Sequence, residues 1–428
     1  MGAIAWMGLN ILFANVLSVE EFGLFSFCMS ATVLLGTVGC FGYGQVLMRD
    51  GSQASPSGSQ QLFRDILATG RATVLWVSLI IVLVLVSGYS ARLPVPVFEH
   101  GLGILMTVAA SVPLYSYMLL HREGLRADGQ LFMALIGFNL LRPIIPIGIF
   151  SGILMFGIPD VVLAMWTWVI GLLAILVADI IRLYPTAWII WPRRQTGVAS
   201  FRQASILWLS EFSNVVLLQA PILVAGIVLD LRAAALLFAA HRLGTQALFG
   251  IDGMRIAVAP QIARSFRLTA AEQYQVFGQA SVLWAFSGLL FAVPVGLFAA
   301  PLLGLFGEEF VEASAALVII SVGRLFQALV GPTGAVMQYG RMEHLRGALT
   351  FVAAAAQIIV TLSFGAAIGI VGIAWTMTLS IIALETASVV VIRKRTGIWL
   401  GIGSLIQDPS LLRPATDRLI ALLNRWKK

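Results

Sequence analysis

Apolar runs of roughly 20 residues recur along the whole chain, separated by short polar or glycine-rich breaks. That is the length a helix needs to cross the hydrocarbon of a bilayer. The pattern predicts twelve spans, near residues 2–18, 22–48, 72–90, 101–120, 131–153, 160–182, 204–229, 233–259, 277–306, 311–339, 346–367 and 369–392. The breaks between spans 1 and 2, 5 and 6, 7 and 8, and 11 and 12 are very short, which makes each pair antiparallel neighbours. A membrane barrel of strands would read as short alternating segments instead, and none is apparent. The expected fold is all-α and polytopic, with about twelve transmembrane helices in two six-helix lobes around a central cavity.

Composition supports this reading. The 428 residues are 59% hydrophobic and only 11% charged, with a mean hydropathy of +0.94. Soluble domains carry about 25% charged residues, so most of this surface needs lipid as its solvent. The net charge is +7, which on its own could point to nucleic acid. The distribution of the charges argues against that. One set of alternate loops holds Arg49, Arg64, Arg71, Arg122, Arg126, Arg193, Arg194, Arg202, Arg264, Arg267, Arg341 and Arg346. The other set holds Glu20, Glu21, Glu99, Asp160, Asp230, Glu308 and Glu309, with Arg92 and Arg232 as its cations. Basic loops stay on the cytoplasmic side, so both termini are expected inside, with an even number of spans.

Two stretches repeat at a common offset. Val16-Leu17-Ser18 corresponds to Val228-Leu229-Asp230, and Gly157-Ile158-Pro159-Asp160 to Gly369-Ile370-Val371-Gly372, about 212 positions apart in each case. Internal repetition of this kind signals a duplicated unit. Six spans per half give both halves the same orientation, related by an axis along the membrane normal. The expected organisation is an N-terminal lobe over 1–183, a cytoplasmic interfacial linker over 184–203, a C-terminal lobe over 204–395 and a tail over 396–428. In the tail, Leu412, Ala415, Leu419, Leu422, Leu423 and Trp426 recur at helical spacing among Arg413, Asp417, Arg418 and Arg425, the pattern of an amphipathic helix lying on the inner leaflet.

Ionisable groups inside spans are costly and usually face a wet cavity or a partner. The eighth span carries His241, Arg242, Asp252 and Arg255. His241, Thr245, Leu248, Asp252 and Arg255 keep to one stripe of the helix, although Arg255 also suits an inner-end anchor that snorkels. The seventh span carries Glu211, which could pair with an arginine, bind a proton or serve a structural role. The tenth aligns Arg324, Gln327, Gly331 and Gln338, with Pro332 able to kink the helix and free a carbonyl. The fifth carries Arg142 beside Pro143 and Pro146. Gln45 and Arg49 lie one turn apart at the inner end of the second span, and Asp179 and Glu385 fall near inner ends. The set leans cationic, which attracts an anion in a low-dielectric wall, and the planar fork of arginine matches phosphate oxygens. The candidate binding residues are Arg142, Arg242, Arg324, Arg255, Arg49, His241 and Gln327. Glu211 and Asp252 are candidates for ion coupling.

Several chemistries have no signature here. There is no G-x-x-x-x-G-K-[ST] phosphate loop, H-E-x-x-H or C-x-x-C, so no cofactor, metal or catalytic residue is expected. Cys28 and Cys40 lie in one predicted helix, roughly 18 Å apart, too far to bridge. The first apolar run lacks the basic segment that precedes it in a cleavable signal.

Leu17-Ser18-Val19-Glu20-Glu21-Phe22-Gly23-Leu24-Phe25, Pro301-Leu302-Leu303-Gly304-Leu305-Phe306-Gly307-Glu308-Glu309-Phe310 and Gly369-Ile370-Val371-Gly372-Ile373-Ala374 resemble motifs of bacterial polysaccharide-transport proteins. These are the lipid-linked oligosaccharide flippases of the multidrug/oligosaccharidyl-lipid/polysaccharide exporter superfamily. The resemblance implies a flippase, not an enzyme, of the bacterial inner membrane. Its implied cargo is an undecaprenyl-diphosphate-linked oligosaccharide, moved to the outer leaflet for O-antigen, capsule or exopolysaccharide assembly. A polysaccharide polymerase or synthase complex is an implied partner. Arg49 resembles the arginine that often ends the second span in that family. A cation-coupled multidrug exporter of the same superfamily is the alternative. A membrane polymerase or acyltransferase fits less well, because the outer loops are too short to hold a catalytic domain.

Overall fold

A computed structural model describes residues 2–51, 60–155, 157, 160–183, 201–246, 258–401 and 403–404, the side chains of 51, 60 and 201–203 excepted. The described residues are helical, with no strand among them. The main helices are α1 (Gly2–Val16), α2 (Val19–Cys40), α3 (Gln60–Ser90), α4 (Gly101–Ala127), α5 (Leu131–Leu154), α6 (Val161–Leu183), α7 (Phe201–Val228), α8 (Leu231–Gln246), α9 (Ala270–Leu297) and α10 (Ser314–Val330). The last long stretch, Glu343–Thr396, runs for 54 residues and breaks at Gly369, where φ is 62° and ψ −167°. Thr361 Oγ1 sits 3.1 Å from Thr376 Oγ1, and Arg346 reaches Glu385. The stretch therefore folds back into two antiparallel arms, α11 (343–368) and α12 (370–396). Nine described helices, this long one included, are long and apolar enough to cross a membrane. With its arms counted separately, and with the shorter apolar helix α1, eleven of the twelve expected segments are described; of the eighth, helix α8 covers the part to Gln246 and 247–257 lie outside the described residues. The chain is a multi-pass membrane protein.

Local chemistry sets the helix ends. Ser18 caps α2 in a reciprocal box: its backbone N–H donates to Glu21 Oε2 at 2.9 Å, and the Glu21 N–H donates to Ser18 Oγ at 3.3 Å. Asp230, its counterpart in the repeat, accepts from the Ala233 N–H at 2.6 Å. The repeated position is thus an N-cap in both copies, which gives the sequence match a physical basis. Replacing Ser18 with alanine is expected to cost about 1 kcal/mol, read as a lower thermal midpoint in detergent; an unchanged midpoint would remove the cap from the argument.

Three of the departures from the predicted limits have a visible cause in the packing or backbone. Helix α3 starts at Gln60 rather than near 72, because Phe63, Ile66, Leu67 and Val74 keep one buried face that packs on Tyr43, Val46, Leu47, Leu120 and Leu125. Helix α2 stops at Cys40 instead of running to 48. Phe41 and Gly42 take left-handed φ values of 43° and 75°, and a Cβ on Gly42 would strike the Ala204 carbonyl and Trp208. A short helix Tyr43–Val46 and a π-helical turn Leu47–Gly51 follow. The tenth span ends at Val330. Gly331 (φ 90°) and Pro332 then break it before the short helix Thr333–Tyr339.

Contacts divide the chain into two compact units, Met1–Phe238 and Ala239–Lys428. In the first, α2 and α4 approach closely through small residues, as membrane helices do. Gly36 faces Tyr115, Gly39 faces Ser116, and Ser116 Oγ donates to the Gly36 carbonyl at 3.0 Å. Helix α7 packs along α2 in the same unit. In the second, α10 packs on α9 and on the 343–396 hairpin, and Thr378 Oγ1 donates to the Ile319 carbonyl at 2.9 Å. The segment after α12 lies over the break in the tenth span. Gly401 (φ 70°) leaves no room for a Cβ beside the Leu329 and Val330 carbonyls, and its N–H donates to Ser281 Oγ at 3.0 Å. Outward faces are apolar, as on α3, which exposes Leu75, Trp76, Leu79, Ile80, Leu83 and Val84.

Candidate functional sites in each unit

The predicted residues fall into three groups. Asp252 and Arg255 lie outside the described residues, as do 184–200 of the predicted linker and 405–428 of the tail.

The first group surrounds Arg142 in the first unit. Helix α5 is widened by a π-helical turn at Gly137–Leu141 immediately before Arg142, and turns of this kind concentrate at functional sites. Pro143 and Pro146 have no N–H to return to the helix. The Arg142 side chain is 8% exposed. Its guanidinium carbon lies 4.0 Å from the ring centre of Phe138, 4.4 Å from Trp6, 5.5 Å from Trp168 and 5.7 Å from Tyr115. Ring faces therefore supply the negative potential here. Nε and Nη1 have no hydrogen-bond partner among the described residues, and neither do buried Asn10 Oδ1 and Trp168 Nε1. Asn10 belongs to this group through α1, because its Nδ2 donates to the Trp6 carbonyl one turn back, at 2.7 Å.

The second group, also in the first unit, is a polar crevice where α2 breaks. Glu211, Glu123, Arg122, Gln45, Thr37 and Trp208 line it. Glu123 is held at 2.6 Å by Arg122 and at 2.8 Å by Arg126. Phe41, Trp208 and Phe212 stack beside it. The enclosed space is about 20 Å³, enough for about one water-sized group and far too small for a sugar. Arg49 lies in the neighbouring π-helical turn, paired with Asp50 at 2.7 Å.

The third group is in the second unit. Arg324, 3% exposed, points Nη1 at Gln327 Oε1 at 3.2 Å, while its Nε has no partner among the described residues. Gln327 Nε2 donates to Glu385 Oε1 at 3.2 Å. Glu385 also accepts from the Thr333 hydroxyl and from both terminal nitrogens of Arg346, at 2.9 and 3.2 Å. Arg346 Nη1 donates to Ser388 Oγ at 2.6 Å. His241, 2% exposed, has neither ring nitrogen hydrogen-bonded to a described residue. It lies within electrostatic reach of both Arg324 and Arg242. Helix α8 meets α10 at Gly244, where a Cβ would press on Ile320.

In the sequence, Glu385 falls near an inner helix end without a role, and Arg346 falls among the loop charges. The structure makes both part of the Arg324 network. It also buries Arg71, another expected loop charge, whose Nε donates to His121 Nε2 at 3.0 Å. His121 Nδ1 faces the Tyr117 carbonyl at 2.7 Å, so this imidazole carries its proton on Nδ1 and is neutral. Asp179 is buried and lies 3.6 Å from Arg182. A visible signal existed for Glu385. It is the one carboxylate in an otherwise apolar run, with Ser388 one turn on.

No protein-family model matches the chain, and no curated protein sequence does. Solved structures match over nearly its whole length. An inward-facing MATE family multidrug resistance transporter of the MOP superfamily is 14% identical, covers 93% of this chain and 95% of its own, and superposes with a TM-score of 0.73. The lipid II flippase MurJ in an inward closed conformation is 13% identical, with 99% and 90% coverage and a TM-score of 0.69. A MOP superfamily transporter from Pyrococcus furiosus, described as having a binding pocket of reversed polarity, is 14% identical, with 92% coverage of both chains and a TM-score of 0.58. The architecture of this chain is thus the fold shared by these MATE family structures and MurJ.

Proposed function

We propose that this protein is a flippase. It carries an undecaprenyl-diphosphate-linked oligosaccharide from the cytoplasmic to the outer leaflet by alternating access, for O-antigen, capsule or exopolysaccharide assembly. The observation that carries this reading is a buried arginine in each unit with guanidinium donors that no described residue satisfies, Nε and Nη1 of Arg142 and Nε of Arg324. Buried donors left without partners call for an explanation. A diphosphate would supply acceptors in the geometry that guanidinium favours, and buried His241, with neither ring nitrogen bonded to a described residue, offers one further N–H donor. A membrane potential negative inside assists outward movement of an anion by about 2.3 kcal/mol per charge per 100 mV. The likeness in fold to a lipid II flippase fits a lipid-linked cargo. In this reading the protein is not an enzyme and resides in the bacterial inner membrane with both termini in the cytoplasm. Residues 1–183 and 204–395 are its duplicated halves, Glu211 takes the coupling ion, and a polysaccharide polymerase or synthase receives the product.

The test is reconstitution. Vesicles containing the purified protein should expose a labelled lipid-linked oligosaccharide to an external probe faster than protein-free vesicles. Equal rates would end the proposal. A second reading, a cation-coupled multidrug exporter, draws on the crevice in which Glu211 and Glu123 face a space of ionic size. It predicts increased drug susceptibility in a deletion strain with polysaccharide display intact, the reverse of what the flippase reading predicts.

A further inference from the structure

We infer that Glu385 is a positioning residue for Arg324, acting through the side-chain amide of Gln327. This inference rests on the reading that Arg324 takes the anionic group of the cargo. An amide has an acceptor end and a donor end. Gln327 gives its donor end to Glu385 and its acceptor end to Arg324. A carboxylate accepts only, so Glu385 forbids the flipped amide, which would turn an N–H toward the Arg324 guanidinium. The carboxylate is in turn held by Arg346 and the Thr333 hydroxyl. Orientation thus passes from Arg346 through Glu385 and Gln327 to Arg324, leaving the Arg324 Nε as the edge without a described partner.

The position of this chain in the fold gives it a second property. Gln327 precedes the break at Gly331–Pro332 and Thr333 follows it. Glu385 bonds to both, so it braces the two sides of the interrupted span from a neighbouring helix. An anion that draws the Arg324 guanidinium away from Gln327 leaves both struts in place, because that bond lies within one helix on one side of the break. The carboxylate that orients Arg324 is thus the same one that holds the break.

The test uses the full chain in proteoliposomes, with a labelled undecaprenyl-diphosphate-linked disaccharide as the probe. Initial flipping rates at several probe concentrations give kcat and KM. Gln327→Met keeps the volume and removes both hydrogen bonds. Glu385→Asp keeps the charge beside Arg346 and withdraws the carboxylate from Gln327. Both are expected to raise KM about tenfold, the usual scale for a hydrogen bond to a charged group, with kcat changed less than about threefold. The two variants are independent, so either one that folds is sufficient. A folded variant with unchanged KM, or one that loses only kcat, overturns the inference. Arg324→Gln separates the two levels. If it flips normally, the assignment of Arg324 to cargo fails and the positioning role fails with it. If it is impaired while Gln327→Met and Glu385→Asp keep the native KM, the positioning role alone fails.

Discussion

Arg324→Gln is expected to reduce kcat/KM for a polyprenyl-diphosphate cargo about a hundredfold while the protein still folds and inserts. Removing one partner of a buried charged hydrogen bond costs about 2–5 kcal/mol, and about 1.4 kcal/mol corresponds to a factor of ten. Folding should suffer less. Arg324 is buried with a neutral partner in Gln327, and its charge is separated from Glu385 by that amide, so its loss leaves no carboxylate stranded. The measurement is flipping rate against probe concentration, alongside thermal unfolding of the same preparation. A variant with native kcat/KM would remove Arg324 from the transport path.

Glu385→Leu should behave in the opposite way, as a failure of stability. Glu385 is 1% exposed and satisfies Arg346, Gln327 and Thr333 together. Hydrogen bonds to a charged group contribute about 1.5–3 kcal/mol, and Arg346, itself part-exposed, loses its carboxylate together with buried Thr333 and with Gln327. The expected result is a sharply lower thermal midpoint and poor recovery from the membrane. The double variant Glu385→Leu with Arg346→Met should recover much of the loss, since replacing both partners with apolar groups is often neutral. A single variant as stable as the parent would show that the network holds nothing in place.

These two results concern residues that the sequence treats very differently. Arg324 was visible as a charge in mid-span, beside Gln327 at the same helical face. Glu385 looked like a helix-end charge and Arg346 like a loop charge, because their meeting depends on the fold-back at Gly369, and pairing across 39 residues leaves no local signature. The apolar periodicity located eleven segments and the start of the eighth, since bilayer thickness sets their length directly. It missed the early start of α3, where Arg64 and the glutamines conceal a buried face. It also missed the break after Cys40, where close approach of α7 demands a glycine. Arg142 was correctly placed on a proline-rich helix. Its aromatic surroundings come from α1, α4 and α6 as well as α5, and no spacing along one helix could display them.

The fold-back at Gly369 also bears on how the protein is made. Between Arg346 and Glu385 the chain contains no ionisable residue, and the two charges lie at the end of the hairpin away from the turn. At about 1.5 Å per residue they trail the bend by roughly 35 and 24 Å. The bend can therefore lead through hydrocarbon as a closed, neutral tip with its backbone already bonded internally. The guanidinium and the carboxylate arrive last and neutralise each other as they leave water. Biogenesis of these two arms would then be a paired event, and a ribosome-stalled chain ending before Glu385 should integrate poorly compared with one that includes it.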